Sequence, residues 1–149
     1  MITDIEQETS DIEWFFICGE EIGFVESGGG KLPNSISIKS MEEIILLATY
    51  FRNLPAKSDV VINRDLKRLL TPGTAIKEYL TYFVELAEKG IYSFDKTVSN
   101  RFADTNYHLV AKPTNPLKVS ELPLEITNLI AETKIIGNIG MSLDISQIG

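Results

Sequence analysis

Apolar and polar positions change period several times along this chain, and each change marks an element. Residues 12–18, IEWFFIC, are aromatic and β-branched. After Glu13 both alternating faces are apolar, the pattern of an interior strand buried on both sides. Gly19-Glu20 then form a two-residue loop with glycine in first place, as a type II′ turn requires. The stretch EIGFVES (21–27) returns as the partner strand, with Ile22 and Phe24 on one face and Val25 on the other.

The period lengthens at 40–53, SMEEIILLATYFRN, which predicts a helix. Ser40 and Glu43 have capping-box spacing, and Met41, Ile44, Ile45, Ala48 and Phe51 form an apolar stripe. NRDLKRLL (63–70) predicts a short helix through Leu66, Leu69 and Leu70, in competition with a strand at 59–63. Residues 74–90 predict a stronger helix, with Ile76, Tyr79, Leu80, Phe83, Val84 and Ala87 at helical spacing and Gly90 in the place of a C-terminal cap.

IYSFDK (91–96) and YHLVAK (107–112) read as a second hairpin across a polar connection. A helix is expected from Pro123, with Leu124, Ile126, Leu129 and Ile130 against the core. Ile135, Gly137, Ile139, Met141 and Leu143 alternate with mostly polar neighbours, which predicts an edge strand over 135–143. No repeat or long linker divides the chain. The expectation is one α+β domain over 1–149: a mainly antiparallel sheet of 4–5 strands built from two hairpins, with helices packed on one face.

Composition supports a core without staples. The 149 residues are 44% hydrophobic, and a chain of this size buries about 68–70% of its unfolded surface. The single cysteine, Cys18, excludes an internal disulfide and reads as a small buried apolar residue. The polar, acidic start lacks the basic region and apolar run of a signal peptide, and no apolar run is long enough to span a bilayer. The expected location is cytoplasmic.

Charge adds an asymmetry. Of 21 acidic residues, eight lie within 1–30, a segment without Lys or Arg; the other 13 are balanced by all 14 bases. Scattered bases argue against a nucleic-acid surface, whereas the acidic start favours a basic protein partner.

The motif nearest to a recognised site is Gly28-Gly29-Gly30-Lys31. It departs from a P-loop: Val25 stands at the first glycine position, Leu32 replaces the metal-binding hydroxyl, and no helix opens behind the lysine. The dinucleotide pattern fails at Pro33. The glycines are expected to bend the chain through positive φ. His108 is the only histidine, too few for a multi-histidine metal site, and would act as a general base only if Asp95 or Asp104 oriented it. Glu20-Glu21, Asp4/Glu6 and Glu42-Glu43 are local carboxylate pairs, of which Glu43 is accounted for as a cap. No catalytic residue, cofactor or metal site is assigned.

EWFFICGEEIGFVESGGGKLPNS, GIYSFD and YHLVAKPTNPLKVSELPLEI resemble blocks of a group of small bacterial proteins, themselves similar to immunity proteins that accompany toxins. The resemblance covers about half the chain and its motifs are structural, so it carries over no functional residue. Together with the missing catalytic constellation and the acidic start, it implies a non-enzymatic protein-binding domain, an immunity protein that neutralises a toxin; the acids Glu20, Glu21 and Glu26 of the first hairpin are the expected contact residues for a basic protein such as a toxin. Two alternatives remain open. One is a small-ligand-binding protein or enzyme that uses the Gly28–Lys31 loop with His108 and Asp95. The other is a homo-oligomeric scaffold joined through the C-terminal strand.

Overall fold

The computed structural model describes every residue except Gly149. Its first hairpin joins β1 (Glu13–Cys18) to β2 (Glu21–Glu26), with Trp14 opposite Val25, Phe15 opposite Phe24 and Phe16 opposite Gly23. Gly19 has φ 61° while Glu20 keeps a negative φ, as in a type II′ turn. The sheet continues with β4 (Tyr92–Lys96), β5 (Asn106–Pro113) and β3 (Val60–Ile62), in the order β1-β2-β4-β5-β3. A three-residue strand, β6 (Ser142–Asp144), lies along the other half of the outer side of β5. The pairings between these strands are antiparallel except β2 with β4, and a single parallel bridge joins Ile17 of β1 to Lys134. The chain between those two carries helices, so β4 enters beside β2 in the same direction.

Helix α3 (Met41–Arg52) starts in the expected capping box: Ser40 accepts from the Glu43 N–H and the Glu43 carboxylate accepts from the Ser40 N–H. Helix α5 (Ile76–Glu88) ends before Gly90, whose φ of 98° and backbone contact with Leu117 exclude a side chain. Helix α6 (Leu124–Ile130) follows Pro123. The two competing expectations around 59–70 are both met, by β3 and by the single turn α4 (Leu66–Leu69).

Strand alternation splits the core into two layers. Phe15, Ile22, Phe24 and Val110 face Leu47 and Phe51 of α3, Phe83 and Leu86 of α5, and Ile126 and Ile130 of α6. Trp14, Phe16, Val25, Phe94, Tyr107 and Leu109 face the opposite way. The chain ends cover that second side with Ile2, Ile145 and Ile148, together with Ile36 of the short helix α2 (Asn34–Ser37). Both sides of β1 are therefore dry, which is why its sequence is apolar throughout. Each such aromatic contributes about 1.5–3 kcal/mol by burial.

Four expectations need correction. The tail is a strand only at Ser142–Asp144; before it Ile136 is fully exposed and Gly137 takes a φ of 102°, which breaks the extended run. The buried stripe of α3 is Ile44, Leu47 and Phe51, leaving Met41 and Ile45 exposed. Leu124 is 74% exposed, while Ile126 and Ile130 carry the packing of α6. The acidic start folds into α1 (Asp4–Thr9), capped by Thr3, an element absent from the periodicity reading.

Candidate functional site

Strand register builds a polar row across the helix-bearing face of the sheet. Glu13 pairs with Glu26, Glu26 with Asp95, and Asp95 with His108, so four neighbouring strands each place one titratable residue on one line. All four share the face of Phe15, Phe24 and Val110, as alternation from those core residues requires.

The layer above supplies a few partners. Arg52 of α3 bonds to Glu13 and, at 3.1 Å, to Glu85 of α5. The Tyr79 hydroxyl of α5 donates to Asp95 Oδ2 at 2.6 Å, and the Lys96 N–H donates to Asp95 Oδ1 at 2.8 Å. His108 Nδ1 lies 3.0 Å from Thr97 Oγ1, and its buried Nε2 has no hydrogen-bond partner among the described residues.

This crowding shifts the acids. Burial, with the charges of Asp11, Asp95 and Glu13, pushes Glu26 up to about 8. Burial also raises Asp95, against the pull of its bonds from Tyr79 and Lys96. Burial and the Asp95 charge raise Tyr79, and burial lowers the His108 imidazole. At neutral pH the row therefore holds a proton, and its histidine is neutral.

Beside the row lies a cavity of about 370 Å³ between the connection 69–74 and the ends of β4 and β5. Asp95, His108 and Tyr79 line it together with Thr71, Thr74 and Thr97. Lys96 borders it, but its ammonium donates to the Asp104 carbonyl at 2.6 Å and sits under the Tyr107 ring.

The triglycine bend is elsewhere and is filled. Gly28 and Gly29 take φ of 54° and 76°, the positive values expected of them. The Gly28 N–H donates to Asp11 Oδ1, Gly30 to the Ser27 carbonyl, Lys31 to the Phe102 carbonyl and Leu32 to Gln7 Oε1. A Cβ on Gly30 would lie 2.7 Å from the Tyr107 hydroxyl and 3.0 Å from Lys96 Nζ. The bend thus wraps the protein's own lysine and tyrosine. The Lys31 ammonium points to Asp4 at 3.9 Å and over Phe102. Of the alternative site, His108 and Asp95 converge on one cavity, and Lys31 with its glycines does not join them.

Glu20, Glu21 and Glu26 are not one surface either. Glu20 is exposed at the hairpin tip and Glu21 accepts from the Tyr92 hydroxyl at 2.8 Å. Glu26 stands at the other end of β2, about 17 Å along the strand, half-buried in the row. Cys18 is buried as expected, and its thiol donates to the Gly137 carbonyl.

A second concavity, absent from the sequence reading, runs between α3 and α6. It measures about 650 Å³ and is lined by Ile45, Leu46, Tyr50, Pro123 and Ile126, with Glu42 and Glu125 at its rim. Ile45 is 59% exposed; Met41 and Leu124 are exposed on the same two helices. The signal was present in the sequence: α3 carries more apolar residues than one core face accommodates.

Among the described residues no helix is long and apolar enough to cross a membrane, and no group of three or more His, Cys, Asp or Glu is placed to hold a metal ion. Searches against protein-family models, curated proteins and solved structures find no match for this chain.

Proposed function

We propose that this chain is a non-enzymatic, cytoplasmic protein-binding domain that receives a basic amphipathic segment of a partner protein in the groove between α3 and α6. The groove carries the reading. A helix that is apolar toward the core and again toward solvent is built to be covered on both sides. The exposed apolar floor offers anchoring area, and the acidic rim of Glu42 and Glu125 selects against acidic partners. A net charge of −7 steers a basic protein toward the surface. The resemblance to immunity-type proteins fits this reading, with a basic toxin domain as the partner class.

The test uses a 14-residue amphipathic peptide of leucine and lysine, with a leucine–glutamate peptide of the same pattern as control. Titrated into the isotopically labelled protein, the basic peptide is expected to shift amide resonances of 41–52 and 123–130. Shifts elsewhere only, equal response to both peptides, or self-association that occupies the groove would overturn the reading.

A further inference from the structure

The cavity beside the polar row is separate from the α3–α6 groove and has a different chemistry. We propose that it binds a small polyhydroxylated amine, of amino-sugar size, with the ligand's ammonium on Asp95 and its hydroxyls on the surrounding threonines.

Four observations converge. The volume of about 370 Å³ lies in the range of small-ligand sites. The wall has two textures: the Thr71 and Ser99 hydroxyls can donate and accept, and those of Thr74 and Thr97, bonded to the Thr71 carbonyl and to His108 Nδ1, each keep further capacity, while Leu69, Leu70 and Val98 offer an apolar surface for a ring's C–H face.

The charge balance is one-sided. Asp95 faces the cavity, and its two oxygens accept only from neutral donors, the Tyr79 hydroxyl and the Lys96 backbone N–H. Among the described residues no Lys or Arg forms an ion pair with Asp95: Lys96 turns its ammonium to the Asp104 carbonyl, and Arg52 bonds to Glu13 and Glu85. A ligand ammonium would give the Asp95 carboxylate the ion-pair partner it lacks, and an anion would be disfavoured beside it.

Finally, His108 lines the cavity, is only 4% exposed, and leaves Nε2 without a partner among the described residues. A buried polar atom of this kind calls for one. Burial favours the neutral imidazole, which does not repel the cation; with Nδ1–H donating to Thr97, Nε2 accepts from a ligand N–H or O–H, and in the other tautomer it donates to a ligand hydroxyl.

Glucosamine, glucose and glucuronate make a ring-matched cationic, neutral and anionic series. In amide-resonance titrations of the intact chain, glucosamine is expected to give saturable shifts in 69–74, 95–99 and 108 with a Kd in roughly the millimolar range or tighter. Glucose is expected to bind at least about tenfold more weakly, and glucuronate not at all. Asp95→Asn should erase the preference for the amine. Thr97→Val, which keeps the side-chain shape, should weaken all sugar binding and guards against a folding defect in the first variant. Absence of saturable glucosamine shifts in these segments, or equal binding of glucose, would overturn the proposal; neither result bears on the α3–α6 groove.

Discussion

The outer end of the Phe16 ring occupies the space over Gly23, its cross-strand partner: a Cβ on Gly23 would sit 2.0 Å from Phe16 Cζ. The glycine is therefore a packing requirement of β2, since only a residue without a side chain lets the ring close over the neighbouring strand. Phe16 in turn packs on Trp14 and Phe94, so displacing it disturbs the whole second core layer. Gly23→Ala is expected to destabilise the fold by about 1–3 kcal/mol or more. Gly19→Ala, where nothing lies within 4 Å and only the positive φ is at stake, should lose about 1 kcal/mol. Urea unfolding of both variants measures the difference; equal losses would place the strain in the turn instead of under the ring.

The acidic row predicts a stability that declines with rising pH. Glu26 titrates near 8 in the folded chain against an ordinary 4.5, so folding binds its proton more tightly. That contribution is complete below about pH 4.5, diminishes as pH rises and is lost once pH passes 8. Asp95, also raised, acts in the same direction. His108, lowered by burial, acts oppositely and below its ordinary 6.5, so pH 7 to 9 isolates the acids. Glu26→Gln should flatten the decline and raise the melting temperature at pH 8.5 by about 3–6 °C, equivalent to roughly 1–2 kcal/mol. Thermal melts across that range are the measurement, and an unchanged slope in the variant would contradict the assignment.

Tyr79 is the only side-chain donor to Asp95 among the described residues. Tyr79→Phe removes a hydroxyl and little else, leaving a buried carboxyl oxygen short of a partner. The expected loss is about 1–3 kcal/mol. Asp95→Asn in the same background should recover part of it, because the amide needs no charge compensation. A double-mutant cycle by urea unfolding reads the coupling. Additive losses would mean that the 2.6 Å contact contributes nothing to stability.

What could be read from the sequence was local. The β1–β2 hairpin, the Ser40–Glu43 cap and the Gly90 stop each depend on residues a few positions apart, and all appear where their spacing puts them. The polar row was not legible, because it is assembled by register across four strands, including the parallel step from Glu26 to Asp95, which no local pattern announces. Glu21 and Glu26 lie at opposite ends of β2, and only Glu26 enters the row. The alternation of 135–143 imitated a strand, yet Gly137 bends it, and only a short end pairs with β5. Helical periodicity could not say which of two apolar faces of α3 meets the core, and the face left over lines the groove.

Binding by that groove is tested most directly through Ile45, which is 59% exposed and so can change without disturbing the fold. In fluorescence anisotropy with a labelled leucine–lysine amphipathic peptide, Ile45→Asp should weaken binding by at least about tenfold, as expected for an anchor residue, with the melting temperature unchanged. Equal affinity of the variant and the parent chain would contradict the account.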